Sequence, residues 1–136
     1  MTSELDPSTV PVIRSIVNVT GSFNPDTFTA AVSLTPTRTV RAGDARSPGL
    51  TFTEDAWKID LGKHEAIHLE SEIDRLLALL LPIGEKFRAT VANMGLSAEA
   101  AFQCCLNEGY YPSLSFRQDQ INQLSALGLS LDIDII

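Results

Sequence analysis

An apolar stripe at helical spacing runs through the middle of the chain, and it constrains the fold more than any other feature of the sequence. The stripe keeps one phase from about Glu65 to Asn93, and its members are Leu69, Ile73, Leu76, Leu77, Leu80, Ile83, Phe87, Val91 and Met94. Pro82 lies inside it, and a proline removes one backbone hydrogen bond and kinks a helix. Because the phase continues across Pro82, the pattern predicts one bent helix or two nearly coaxial helices, ended by Gly95.

Segments on both sides of this helix alternate apolar and polar residues, as half-buried strands do. They are VPVIRSIVNVTG, AWKIDLG, EAAFQCCLN, PSLSF and LSLDIDII. NEGYYP separates the third from the fourth and predicts a hairpin turn. In the last segment, we expect the apolar residues at positions 129, 131, 133 and 135 to point inward, while Asp132 and Asp134 point outward.

Two short helices and a loop complete the predicted elements. In SFNPDTFTAAVSL, Asn24 can cap a helix whose first turn contains Pro25 and Asp26. RQDQINQLSALG predicts a second short helix, ended by Gly128. TPTRTVRAGDARSPGL is rich in Thr, Pro, Gly and Asp, and it predicts a loop.

The resulting element order is β-α-β-α-β-β-α-β, which predicts an α+β fold. We expect a two-layer sandwich in which helices cover one face of a mostly antiparallel sheet. SFNPDTFTAAVSL and SFRQDQINQLSAL also share Ser-Phe and several later positions, which is compatible with two related halves around the long helix. The length of 136 residues suits a single domain, residues 1–136, with a loose N-terminal tail at 1–9.

The charge balance narrows the range of partners. The net charge is −7 and the pI is near 4.6, which works against nucleic-acid binding, because that needs a surplus of Lys and Arg on one face. A basic protein partner suits the chain better. The longest apolar run, Leu76 to Pro82, is too short for a membrane span, and MTSELDPST lacks the features of a leader, so we predict a cytoplasmic protein. The sheet has no evident means of closure, which leaves a homodimer through an edge strand open.

Several short motifs follow one another in a recognisable order. They are the strand followed by a short proline-started helix, the segment LTPT at 34–37, Gly43-Asp44, the tryptophan strand, His68-Leu69 at the start of a leucine-rich helix, and GLSLDIDII. In this order they resemble a bacterial family known as domain of unknown function 4279, over most of Val12 to Ile136. The resemblance implies a small cytoplasmic α+β protein with no known activity. It also implies that His68, rather than His64, belongs to the family pattern.

The segment HEAIH, from His64 to His68, matches the H-E-x-x-H pattern with which many zinc proteases hold their metal. On a helix, the two histidines would share one face as metal ligands, and Glu65 would polarise a bound water. These are the only histidines of the chain, so a carboxylate such as Glu72, or a cysteine, would have to complete the shell. His64 follows a strand closely, however, and we expect it to be solvent-exposed while His68 covers the edge of the core.

Two further groups of charged residues have alternative interpretations. Arg38 and Arg41 can bind the carboxylate or phosphate of a ligand, or they can pair with acids of this acidic chain, such as Asp44. Asp132 and Asp134 can bind a cation or work as an acid/base pair, or they can simply belong to a solvated sheet face. The sequence favours the second interpretation in both cases. The candidate binding residues are Arg38, Arg41, Trp57 and His68.

The sequence favours a non-catalytic function. It contains no phosphate-binding glycine loop, nucleophile elbow or Ser-His-Asp pattern, and it predicts no cofactor. The first hypothesis is an interaction module that binds a basic protein through an acidic surface on the exposed face of the sheet; an immunity protein that blocks a basic toxin is one such role. The alternative is a zinc-dependent hydrolase in which Glu65 is catalytic and His64 and His68 bind the metal.

Overall fold

The computed structural model describes residues 10–106 and 110–136, so the predicted tail at 1–9 lies outside the described residues. The strands are β1 (Val12–Gly21), β2 (Arg38–Val40), β3 (Ala45–Ser47), β4 (Leu50–Thr51), β5 (Asp55–Glu65), β6 (Ser97–Cys105) and β7 (Leu129–Ile135). The α-helices are α1 (Pro25–Val32), α2 (Leu69–Leu80), α3 (Gly84–Asn93) and α4 (Gln118–Ala126), with a 3₁₀ turn (Leu81–Ile83) between α2 and α3.

Five of these strands form one sheet in the order β2-β5-β1-β6-β7. β1 pairs antiparallel with both β5 and β6, and β2 pairs antiparallel with β5, whereas β7 runs parallel to β6. β3 and β4 form a separate hairpin. The predicted α+β class with a mostly antiparallel sheet is therefore confirmed.

The hydrophobic core lies between the helices and one face of the sheet. Along β1 and β6, alternate residues face the helices and are buried, namely Ile13, Ser15, Val17, Val19, Ala98, Ala100, Phe102 and Cys104. From the helix side, α2 and α3 bury Leu69, Ile73, Leu76, Leu77, Leu80, Phe87 and Val91. The intervening strand residues remain partly exposed, so the sheet has one open face.

Trp57, on β5, belongs to an aromatic cluster in this core. Its side chain is fully buried, and its ring centroid lies 4.8 Å from that of Phe28 and 6.4 Å from that of Phe87. Its indole Nε1 donates a 3.0 Å hydrogen bond to Thr29 Oγ1. The cluster joins β5 to α1 and α3. Because Trp57 offers no exposed surface to a ligand, it leaves the set of candidate binding residues.

The apolar stripe forms α2 and α3, and the helix is interrupted at Pro82, as the sequence predicts. α2 begins at Leu69 rather than at Glu65, because Glu65 still belongs to β5. Pro82 lies in the 3₁₀ turn that interrupts the α-helical hydrogen bonds. Gly95, with φ +68°, follows α3 and ends it as predicted. Within residues 10–106 and 110–136, no helix is both long and apolar enough to cross a membrane.

The predicted hairpin after β6 is wrong. Residues 110–116 form no strand, and Ser113 makes an isolated parallel bridge with His68. The second half of the hairpin is absent because β6 pairs with β1 and β7 instead, and the chain reaches β7 through α4. Residues 107–109 of the predicted turn lie outside the described residues. The segment before β5, which was predicted to be a loop, also contains regular structure, namely β2 and the β3–β4 hairpin.

Two helices of the fold each connect a pair of parallel strands. α4 connects β6 to β7, which are parallel neighbours. α1 connects β1 to β2, and these two strands are also parallel to each other because both pair antiparallel with β5, which lies between them. The relation between two halves of the chain stays a prediction, and this shared β-α-β direction is compatible with it.

Candidate functional site

The HEAIH segment does not lie on a helix. His64 and Glu65 are the last two residues of β5, and α2 begins only at Leu69. His68 is the capping residue before α2 and has an extended backbone, with φ −126° and ψ 125°. The two histidines therefore do not share a helix face. The described residues do not form the ligand geometry that the zinc hydrolase hypothesis needs. Among the described residues, no group of three or more His, Cys, Asp or Glu side chains is arranged to hold a metal ion.

A β-bulge at Gly62 decides where His64 points. Asp60 pairs with Ile16 and Lys63 pairs with Arg14, so two residues, 61 and 62, together oppose one residue of β1. Gly62 has φ +85°, and its backbone N–H donates a 2.8 Å hydrogen bond to Oδ1 of Asp60. Beyond the bulge the alternation is shifted, which turns Lys63 outward and His64 toward the helices. A glycine inside a strand pattern was the signal for this shift in the sequence.

His64 contacts a buried acid on α2. Its Nδ1 lies 3.1 Å from Oε1 of Glu72, although neither atom has a hydrogen-bond partner of suitable geometry among the described residues. Glu72 is 2% exposed, and its Oε2 lies 3.4 Å from Nε of Arg75. The predicted exposures of the two histidines are therefore reversed, because the His64 side chain is only 31% exposed whereas His68 lies at the surface. Glu65, the alternative catalytic residue, is also exposed and faces away from this cluster.

Arg41 pairs with Asp55 rather than with the predicted Asp44. Its Nε lies 3.3 Å from Oδ1 of Asp55, while Asp44 Oδ2 accepts the backbone N–H of Arg41 at 2.8 Å. Asp55 also accepts the backbone N–H groups of Ala42 and Phe23, each at 2.9 Å. The two backbone hydrogen bonds are the main reason why the pKa of Asp55 lies below its ordinary value, and the charge of Arg41 adds to them. Arg41 therefore has an internal partner.

We expect Asp55→Asn to remove part of the pH dependence of stability. Because the folded-state pKa of Asp55 is lowered, its stabilising effect is present above the ordinary value of 3.8 and is lost as the pH falls below that value toward the folded-state pKa. The variant should be less stable than the wild type near neutral pH and should lose less stability in acid. Urea unfolding between about pH 7 and about pH 3 measures this. Glu54→Gln, at the exposed neighbouring position, should keep the wild-type profile. Equal acid slopes for Asp55→Asn and the wild type would contradict the assignment.

Arg38 lies on the open face of the sheet, where β2 pairs with β5. The register places it directly opposite Lys58. The guanidinium carbon of Arg38 lies 5.5 Å from the ring centroid of Phe52, and that of Arg46 lies 6.0 Å from the same ring. Burial, followed by the charges of Arg38 and Arg46, lowers the pKa of Lys58, while Glu99 has the opposite effect. This end of the face is therefore basic.

A group of acids lies on the same face at the opposite side of the sheet. It consists of Glu99 on β6 and Asp132 and Asp134 on β7, and we call these three residues the acidic patch. The parallel register places Asp132 beside Ala101 and Asp134 beside Gln103, so the acids follow one another along the outward positions. Burial, followed by the charges of Asp132 and Asp134, raises the pKa of Glu99. In the part of the chain that the structure describes, none of the three forms an ion pair with a basic residue.

β7 is an outer strand of the sheet and borders an apolar groove beside α4. The groove has a volume of about 390 Å³, and its apolar lining residues are Phe116, Ile121, Leu124, Leu129 and Leu131. Within the described residues, β7 pairs with β6 on one side only. Ile135, which was expected to point inward, is 48% exposed because it lies at the end of this edge strand.

The fold and these charged regions define the class of protein, an α+β domain whose sheet is covered by helices on one face and carries separated basic and acidic regions on the other. A family model described as Domain of unknown function (DUF4279) matches residues 13–136, and the chain belongs to this family. The resemblance noted in the sequence is thereby confirmed. No curated protein and no solved structure matches the chain.

Proposed function

We propose that the protein is a non-catalytic interaction module whose acidic patch binds a basic region of a partner protein. The observation that carries the proposal is the grouping of Glu99, Asp132 and Asp134 on the open face without an ion-pair partner among the described residues. Like charges repel, so this grouping is unfavourable in the isolated protein, and a basic partner relieves it. Opposite charge also accelerates encounter and fixes the orientation of the two proteins.

The position of the patch on an edge strand supports a particular mode of binding. An extended segment of the partner can add through main-chain hydrogen bonds to the side of β7 that no described strand occupies. Successive side chains of such a segment point to opposite faces. One set then meets the acidic patch, and the other set meets the apolar groove beside α4. A segment with alternating basic and apolar residues fits both surfaces.

The acidic patch also opposes self-association through β7. In an antiparallel pair of two β7 strands centred on Ile133, Asp132 of one copy would lie beside Asp134 of the second copy. Like charges across a strand pair are destabilising, and charged edge strands are a common means of preventing such pairing. A homodimer of this kind is therefore disfavoured near neutral pH, and the edge stays available to a different protein.

The specific role that we propose is that of an immunity protein, which occupies a basic toxin and blocks it. A toxin that acts on nucleic acid needs basic surface to hold phosphate groups, and an acidic patch complements such a surface. We also propose a cytoplasmic location, since Cys104 and Cys105 are free thiols, as is usual in a reducing compartment. The proposed role requires no cofactor.

Reversing the charge of the patch should weaken partner binding strongly. The partner is captured from the source cells with the wild-type protein and purified, and its affinity is then measured by titration calorimetry. Asp132→Lys combined with Asp134→Lys should weaken binding at least about a hundredfold, because repulsion replaces attraction at the contact. The control pair, Glu54→Lys with Glu85→Lys, changes the net charge equally at exposed positions outside the patch and should change the affinity less than about threefold.

Two outcomes would contradict the proposal. One is an equal loss of affinity in both charge-reversed proteins, since that would assign binding to net charge rather than to the patch. The other is a captured protein that does not bind once both components are pure. Inhibition of the activity of the purified partner by the wild type, and not by the patch variant, would support the immunity role in particular.

A further inference from the structure

Most basic residues of this acidic chain belong to one group of neighbouring segments. Six of the ten Lys and Arg residues lie on β1, β2, β3 or β5 or between β2 and β3, namely Arg14, Arg38, Arg41, Arg46, Lys58 and Lys63. Arg14 and Arg41 pair with carboxylates. Arg38, Arg46 and Lys58 form no ion pair within the part of the chain that the structure describes.

These three cations lie close enough to repel one another. Arg38 and Arg46 approach the same ring, that of Phe52, at 5.5 and 6.0 Å. Lys58 lies opposite Arg38 in the sheet, and burial, followed by the charges of both arginines, lowers its pKa. An anion bound among them would reduce the repulsion, because it would add a counter-charge to the more distant one that Glu99 supplies to Lys58.

A cleft opens beside Arg38 and Lys58. It has a volume of about 240 Å³ and is lined by Arg14, Ile16, Thr37, Arg38, Lys58 and Asp60. Arg14 lies 3.5 Å from the carboxylate of Asp60, so these two charges compensate each other and leave Arg38 and Lys58 unpaired. Thr37 Oγ1 accepts the backbone N–H of Asp60 at 2.6 Å, and its hydroxyl proton is available for a further hydrogen bond.

We propose that this cleft is an anion site that binds a phosphate group, with Arg38 and Lys58 as the charged ligands and Thr37 as a neutral donor. A guanidinium group can bind two phosphate oxygens at once, and an ammonium group adds a compact positive charge. The cleft is smaller than the roughly 300–1,000 Å³ of pockets that enclose whole small-molecule ligands. It therefore suits inorganic phosphate, or the phosphate group of an ester whose remaining part stays outside. The site is separate from the acidic patch and does not depend on the partner proposed above.

Inorganic phosphate titrated into ¹⁵N-labelled protein tests the site, with sodium chloride as the reference at equal ionic strength. We expect saturable shifts at the amides of Thr37, Arg38 and Lys58 with phosphate, and none with chloride. Arg38→Gln should raise the Kd at least about tenfold, since it removes charge-assisted hydrogen bonds. Lys58→Gln is a second, independent variant with the same expected effect. Lys86→Gln removes an exposed basic residue from α3 and should leave the Kd unchanged.

A second titration with phenyl phosphate distinguishes the source of the phosphate group. Tighter binding than that of inorganic phosphate would support an ester ligand, and equal binding would support the free ion. The proposal is overturned if the shifts do not saturate, if chloride produces the same shifts, or if both Arg38→Gln and Lys58→Gln bind phosphate as the wild type does. Because Arg38 is exposed, Arg38→Gln should fold normally, and its amide spectrum checks this in the same experiment.

Discussion

Trp57→Ala lowers the free energy of unfolding by about 3–5 kcal/mol, as truncation of a buried aromatic residue does. The side chain is fully buried and contacts the rings of Phe28 and Phe87. Its removal opens a cavity where β5, α1 and α3 meet, and it also removes the hydrogen bond from the indole to Thr29. The free energy of unfolding of native proteins is only about 5–15 kcal/mol. The variant is therefore either much less stable than the wild type or unfolded.

Urea unfolding followed by circular dichroism measures this loss. Fluorescence is unsuitable because Trp57 is the only tryptophan of the chain. Trp57→Phe is the matched control, since it keeps an aromatic ring in the cluster but loses the indole donor, and it should cost about 1–2 kcal/mol. A loss for Trp57→Ala no larger than that for Trp57→Phe would show that the ring packing contributes little.

Gln120→Ala should lower the free energy of unfolding by about 2–4 kcal/mol, because the buried side chain of Gln120 joins α4 to α2 through partly buried hydrogen bonds. The residue is fully buried. Its Nε2 lies 2.9 Å from both the backbone oxygen of Glu70 and Oδ1 of Asp74, and its Oε1 accepts the backbone N–H of Arg117 at 3.0 Å. Truncation leaves the Glu70 carbonyl and the Arg117 amide without these partners, so the loss exceeds that of one exposed hydrogen bond.

Gln123→Ala is the matched control for this prediction, because Gln123 lies one turn later on α4, is less buried and makes no side-chain hydrogen bond within the described residues. It should change the stability by less than about 0.5 kcal/mol. A second measurement concerns Asp74, whose pKa is lowered first by Gln120 and then by Arg117. In Gln120→Ala the pKa of Asp74 should rise toward its ordinary value of 3.8, which NMR titration detects. Similar stabilities for the two alanine variants would contradict the assigned role of Gln120.

The elements that depend on neighbouring residues were predictable from the sequence. Asn24 caps α1 as expected, since its Oδ1 accepts the backbone N–H of Asp26 at 2.9 Å. The phase of the apolar stripe identified α2 and α3, and Gly95 marked where α3 ends. Each of these signals is contained within one or two turns of the chain, so no knowledge of the tertiary structure was needed.

The features that depend on distant segments were not predictable in the same way. The acidic patch exists because β7 lies parallel to β6, and alternation along a strand does not specify which strand will be its neighbour. PSLSF alternates as a strand does, yet β7 occupies the place beside β6 that the hairpin would have used. The side chain of Arg41 likewise pairs with Asp55, which is more distant in sequence than Asp44. Asp44 accepts only the backbone N–H of Arg41.

The bulge of β5 determines which length changes this strand can accept. Gly62 is one residue more than β1 requires, since residues 61 and 62 together oppose Ser15. Deleting Gly62 would restore a regular ladder in which Lys63 still points outward and His64 still reaches Glu72. A larger residue at position 62 would instead have to hold φ near +85°, at a cost of about 1–2 kcal/mol. Shortening the chain by one residue here is therefore less disruptive than changing the side chain, and the contact between His64 and Glu72 can survive the change in length.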